Sequence, residues 1–218
     1  MVRTADAPAS GRGRVNRGTE ETRDRLIEAA LVEFAANGFD GASTRAIASR
    51  AGAHQPQINY HFESKDELWR LCLERLLGEL DVVIAEHVAG IDPTDEPAVF
   101  AAIIRGLVVF ASRRPELNRI MMHEGTAPSD RLTWLVSNHL EWRHRDLGRR
   151  WISLTDQAMA APLPVDVLYH MVIGAASLLY ANAPEARLLG IEPDSSGAVA
   201  DHADSLVAML LPSYRPQH

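Results

Sequence analysis

The chain has 218 residues, 46% of them hydrophobic and 23% charged, with a formal net charge of −7 and a single cysteine. That length can bury a sizeable core in one or two compact units, and no apolar run approaches the ~20 residues of a membrane span. Cys72 alone excludes an internal disulfide and suits a reducing cytoplasm. The N-terminus is polar, with Arg3, Arg12, Arg14 and Arg17 and no apolar stretch behind them, and does not read as a secretory signal.

The charge is unevenly spread. Through Lys65 there are nine Arg/Lys against eight Asp/Glu, a net of +1; beyond it there are thirteen against twenty-one, a net of −8. Nucleic-acid attraction depends on a local basic patch and not on total charge. The acidic remainder argues against non-specific wrapping of DNA by the C-terminal part.

Residues 1–18 are rich in Ala, Gly, Arg and Ser and are expected to be a disordered basic tail. Arg12, Arg14 and Arg17 there supply either a minor-groove or phosphate arm or a solubilising tail. A first helix is predicted from Thr19 to Asn37, with Leu26, Ile27, Ala30, Leu31 and Phe34 on its apolar face. Gly38 ends it, and Phe39 can fold back as the hydrophobic cap partner.

The segment STRAIASRAGAHQPQINYHFESKDEL (43–68) is the most informative. Ser43 offers a side-chain oxygen to the free N–H groups of a helix starting at Thr44. Ile47, Ala48 and Ala51 give that helix a short apolar stripe. Gly52 suits the left-handed turn that must follow. Pro56 fits the first turn of the next helix, where its missing N–H costs nothing. Ile58 and Phe62, four apart, both point inward. Gln55, Gln57, Asn59, Tyr60 and His61 are left outside. This is the layout of a helix-turn-helix whose second helix enters the major groove. Gln55 and Gln57 are the best base readers, since Gln pairs with adenine, and Asn59 can do the same. Pro56 and Tyr60 offer apolar contact to a thymine methyl. His61 and Lys65 fit phosphate.

Residues 19–70 resemble the tetracycline-repressor (TetR) family of transcriptional regulators. The resemblance rests on the helix TEETRDRLIEAALVEFAANGF, the TRAIA start of the second helix, QPxxxYHF, and the SKDEL opening of the fourth. His54 stands where a small capping residue is common, and Asn59 where an aromatic is common. The resemblance implies an all-α chain: an N-terminal helix-turn-helix domain over 19–65 and a C-terminal helical ligand-binding and dimerisation domain over 66–218. It also implies that Thr44 and Arg45 touch phosphate or a base. It further implies a repressor, homodimeric and cytoplasmic, that binds a palindromic double-stranded operator and a small-molecule effector without any cofactor.

The fourth helix begins after Ser64, with Glu67 as capping-box partner. Its stripe of Leu68, Leu71, Cys72, Leu76 and Leu80 runs to about residue 88, long enough to strut two domains. GIDPTDEP (90–97) is a linker. Helices are then predicted at about 97–113, 115–126, 129–160, 165–182 and 197–211, with breaks at Pro115, Pro162 and Pro164. No strand-like alternation is visible.

The helix PVDVLYHMVIGAASLLYANA is apolar around most of its circumference, so it must be buried on more than one side. It is either a central core helix or, through Gly174, Ala175, Ser177 and Leu178 with Val199, Ala203, Leu206, Val207 and Leu210, half of a two-fold interface. Met121, Met122, His123, Glu124, Trp134, His139, Trp142 and Tyr180 can line a pocket for a mainly apolar ligand, or they are core. No metal site is expected: His139 and His144 are five apart and do not share a helix face. An enzyme with His123, Glu124 and His139 as acid–base groups lacks any nucleophile elbow, phosphate loop or cofactor motif. A further alternative is a DNA-binding module whose C-terminal domain responds to a protein partner.

Overall fold

The computed structural model describes residues 11–215, with side chains from Gly18 onward. Residues 1–10 of the expected disordered tail, with Arg3, and the side chains of Arg12, Arg14 and Arg17 lie outside the described residues, whereas the backbone from residue 11 to 18 is helical. The helix expected from Thr19 has its backbone start earlier, at Gly11. Every element among the described residues is helical. None of these helices is long and apolar enough to cross a membrane.

The head contains α1 (Gly11–Gly41), α2 (Thr44–Arg50) and α3 (Gln55–His61). Gly38, at φ 66° and ψ −179°, breaks the hydrogen-bonded course of α1 where the sequence ends the first helix. The break lets Phe39 turn back and stack on Phe34, ring centroids 6.0 Å apart, while its edge meets Trp69. Leu26, Ile27, Ala30, Leu31, Phe34, Ile47, Ala48, Ile58, Phe62 and Leu68 are all buried. Each fully buried large side chain of this kind contributes about 1.5–3 kcal/mol. Cys72 is buried too, a small hydrophobe whose Sγ lies 3.6 Å from the Ile27 carbonyl oxygen.

The chain divides into two compact units at Cys72/Leu73, inside α4 (Lys65–Val88), and not at residue 65 as the sequence suggests. The reason is that the first two turns of α4 bury Leu68, Trp69 and Cys72.

The C-terminal unit continues α4 and adds α5 (Glu96–Arg113), α6 (Glu116–Glu124), α7 (Asp130–Leu135), α8 (Glu141–Asp156), α9 (Val165–Ala181), α10 (Ala183–Leu188) and α11 (Ser196–Leu210). Its core is built from α5, α8, α9 and α11 through Phe100, Ile104, Trp151, Leu168, Val172 and Leu206. The long stretch expected over 129–160 is interrupted: residues Val136–Leu140 form a π-helical turn between α7 and α8. The short α10, opened by Pro184, was not visible in the hydrophobic pattern.

Two glycines separate packing from propensity. A Cβ on the buried Gly106 of α5 would lie 3.2 Å from the Ile84 backbone of α4; on the exposed Gly78 it would meet nothing within 4 Å. Gly106→Ala should lower the urea midpoint, because overpacking of about 1–3 kcal/mol exceeds the helix-propensity gain. Gly78→Ala should raise stability by about 0.5–1 kcal/mol.

Candidate nucleic-acid interface

The helix-turn-helix is fixed at its ends. Ser43 accepts the Ala46 N–H on its hydroxyl at 3.4 Å, and its own N–H donates to the buried Glu33 carboxylate at 3.3 Å. Only Ile47 and Ala48 of α2 are buried. Gly52 carries φ +64°, the left-handed conformation the turn needs. Pro56 occupies the first turn of α3, Ile58 is its one buried residue, and the chain leaves α3 as the buried Phe62 donates its N–H to the Ile58 carbonyl at 2.8 Å. The α4 N-terminus is capped by Ser64, whose hydroxyl accepts the Glu67 N–H at 3.0 Å. The Glu67 carboxylate reaches back to the Glu63 N–H.

These constraints turn one side of α3 outward. Gln55, Pro56 and Asn59 are exposed, and Tyr60 is 76% exposed, which is unusual for a large aromatic that nothing inside the protein covers. Thr44 is half-buried and Arg45 exposed in the first turn of α2. Gln57 differs from the expectation of a free base reader. It is half-buried, and its Oε1 accepts the His54 backbone N–H at 2.8 Å. The amide oxygen serves as a cap and only the NH2 group remains to donate. His54, the residue before α3, makes no side-chain capping bond.

Lys65 lies with Nζ 4.7 Å from the centre of the Phe39 ring and 3.5 Å from the Asp40 carbonyl oxygen. His61 packs edge-on against Tyr60, at 5.1 Å, and beside Phe62. Its pKa is lowered, first by partial burial and then by the Arg23 guanidinium. Sequence reasoning missed Arg23, whose Cζ stands 5.6 Å from the centre of the Phe62 ring. No local pattern signals a contact between residues so distant in the chain.

In the C-terminal unit the eight pocket residues take different partners. Glu124 is buried, pairs with Arg131 at 3.2 Å and accepts the Ser129 hydroxyl. The Tyr180 hydroxyl lies 2.9 Å from His202 Nδ1, and burial pushes its pKa up to about 12. Met122 and Trp142 are half-exposed, Trp142 with Arg143 over its ring, and His123 is exposed. Met121 is half-buried. Trp134 and His139 do meet, ring centroids 5.0 Å apart, at the π-helical turn. The His139 pKa is lowered by burial and then by Arg143, against an opposing pull from Glu74 and Asp81. Two surface grooves, one lined by His144, Gly148, Ile152 and Val165 and one by Gly174, Leu178, Ala186 and Leu189, include none of the eight. No cluster of three or more His, Cys, Asp or Glu able to hold a metal occurs among the described residues.

The expected interface residues also divide. Ala203, Leu206, Val207 and Leu210 are buried in their own unit's core, packed with α5 and α9. Ser177 is likewise buried, donating to the Ile173 carbonyl at 2.6 Å, and Val199 packs against the same core. The outer face of α9 is instead Val167, Met171, Ala175 and Leu178, with Gly174 half-buried beside it. The outer face of α11 carries Ala208 and Met209.

Residues 26–71 match the family described as "Bacterial regulatory proteins, tetR family". The chain is 35% identical over 109 residues to the HTH-type transcriptional repressor SCO4008 of Streptomyces coelicolor, a match that covers 50% of this chain and 52% of that protein. It thus spans about half the length of this curated relative. Among solved structures it resembles a putative fatty acid metabolism regulator of Clostridium perfringens, with a TM-score of 0.68 and 15% identity over 88% of this chain and all of that one. It also resembles AibR in complex with isovaleryl coenzyme A and operator DNA, with a TM-score of 0.64 and 17% identity over 88% of this chain and all of that one. At such identities the structural likeness shows the fold.

Two measurements check this geometry. Gln57→Ala should lower the stability of the head by about 1 kcal/mol, the usual worth of a helix cap, in thermal unfolding without DNA. Burial and Arg23 both penalise the imidazolium of His61, so the folded head holds fewer protons there than the unfolded chain. Stability linked to His61 is therefore complete above the unfolded value of about 6.5 and is lost as pH falls from there through the lower folded value. His61→Gln should flatten the fall in melting temperature between pH 7.5 and 5.5.

Proposed function

We propose, from the match of residues 26–71 to the tetR family of bacterial regulatory proteins, that the chain is a sequence-specific DNA-binding transcriptional regulator of that family, acting as a homodimeric repressor that a small, mainly apolar ligand releases from its operator. The observation that carries the reading is the outward face of α3. Gln55, Asn59 and the 76% exposed Tyr60 are displayed on a short helix whose every anchor points the other way. Gln55 reads adenine, Tyr60 and Pro56 meet thymine methyls, and Thr44, Arg45, His61 and Lys65 position the head on phosphate.

A two-fold dimer gives this head its operator. Val167, Met171, Ala175 and Leu178 recur along the exposed side of α9 at helical spacing, a stripe that a single chain leaves in water. A second copy covers it by the same stripe, and two recognition helices then ask for a palindrome with half-sites about 34–36 Å apart or a multiple of that. Ala175→Arg places a charge in the middle of the stripe. It should give monomers in sedimentation at micromolar concentration and much weaker binding to a palindromic duplex. A wild-type monomer at that concentration overturns the dimer.

The effector is read onto Trp134 and His139 at the π-helical turn, since such turns occur often at functional sites, with the half-buried Met121 of α6 as a further candidate. Glu124 and Tyr180 are poorer anchors, because both already hold internal partners. AibR, which shares the fold, is named with both isovaleryl coenzyme A and operator DNA. A protein partner is the second reading, favoured by Leu188 and Leu189, 90% and 72% exposed. A ligand acts only through its preference for the DNA-free form, so tenfold release requires about 1.4 kcal/mol of coupling, and operator weakens the ligand reciprocally. Titration of apolar acids and acyl thioesters against tryptophan fluorescence, with and without DNA, should show saturable quenching that Trp134→Phe removes. Absence of quenching by every such compound moves the reading to the protein partner.

A further inference from the structure

We infer that Arg23 of α1 and His61 of α3 form one clamp for a single DNA phosphate, so that the first helix grips the backbone together with the recognition helix. The inference rests on the reading of the chain as a DNA-binding regulator and adds to it a residue outside the helix-turn-helix.

Phe62 is the platform. It is buried, and the chain leaves α3 through it, so its ring is fixed. The Arg23 guanidinium stands over that ring, Cζ 5.6 Å from its centre, and the His61 ring lies beside it with its centroid 6.1 Å away. A guanidinium stacked on an aromatic keeps its N–H edge free to donate. Among the described residues Arg23 makes no hydrogen bond or ion pair with any carboxylate. That distinguishes it from Arg70, Arg105, Arg131, Arg143 and Arg150, each held by an Asp or Glu.

Two hydrogen-bond donors, one of them a fixed cation, are thus set against one aromatic ring. Burial first, and the Arg23 guanidinium second, disfavour protonation of His61. An anion in reach of both pairs with the guanidinium and accepts from its fork and from the imidazole at once. Phosphate is the anion that the location selects. His61 is the last residue of α3, packed edge-on to the exposed Tyr60, so the pair flanks the face that meets the bases. Lys65 differs in that its ammonium lies on the Phe39 ring and the Asp40 carbonyl.

The test uses the full-length protein and a 30-base-pair duplex selected by the wild type from a random pool, with an unrelated duplex as control. Arg23→Gln should weaken binding to both duplexes by about five- to tenfold and lower the salt slope by about 0.9, the effect of one released counterion. Arg23→Lys, which keeps the charge, should restore the slope and part of the affinity. His61→Gln combined with Arg23→Gln should lose less than the sum of the two, because both act on one phosphate. Helix content by circular dichroism identifies any variant that has lost its fold; Arg23→Lys then decides alone. Unchanged affinity and slope in Arg23→Gln, or strictly additive losses, overturn the clamp while leaving the regulator reading intact. A wild type that selects no duplex from the pool removes the regulator reading, and the clamp with it.

Discussion

A helix of seven residues cannot hold itself in water, because its nucleation cost exceeds what two turns of backbone bonds return. α3 is that long, and only Ile58 along it is fully buried. Everything else about the head follows from how its ends are held. The left-handed Gly52 brings the chain in, Gln57 folds its amide oxygen onto the His54 N–H, Pro56 fixes the first turn, and the buried Phe62 draws the chain out. With both ends and one residue pinned, the rotation of the helix about its axis has no freedom left. Gln55, Asn59 and Tyr60 face water as a consequence.

The same economy shapes the charges. The protein carries a net charge of −7 and is nevertheless read as a DNA binder, because counterion release depends on the few cations near phosphate. In the C-terminal unit the arginines are largely spent on internal acids: Arg150 on Glu96 and Asp146, Arg143 on Asp81, Arg131 on Glu124. Such pairs give the acidic unit shape and little long-range attraction. In the head, Arg23 sits on an aromatic face instead, and Arg45 is exposed at the start of α2.

Much of this was legible in the residues. Ser43, Gly52, Pro56 and the Ile58/Phe62 pair announce the helix-turn-helix because each is the residue type its local geometry requires, and such requirements are readable one at a time. Gly38 and Phe39 behave the same way. What was not legible depends, except at Gln57, on contacts distant in sequence. Gln57 has the side chain of a base reader and is used as a cap, a choice decided by the neighbouring His54 N–H. Ala203, Leu206, Val207 and Leu210 have the spacing of an interface, but the face they form turns toward α5 and α9. Periodicity shows that a stripe is buried without showing against what. The π-helical turn at 136–140 and the short α10 left no mark in the hydrophobic pattern for the same reason. Glu124 and Tyr180 looked like free polar anchors, and only the fold supplies Arg131 and His202 as their partners.

The central claim is that the outer face of α3 reads DNA sequence. Its most direct measurement is the affinity of Gln55→Ala for the duplex that the wild type selects and for single-base variants of it. The account predicts a loss of about 1–3 kcal/mol on the selected duplex that disappears when one particular base pair is replaced, with non-specific affinity and salt slope unchanged. An equal loss on every duplex, or no loss on any, would contradict it.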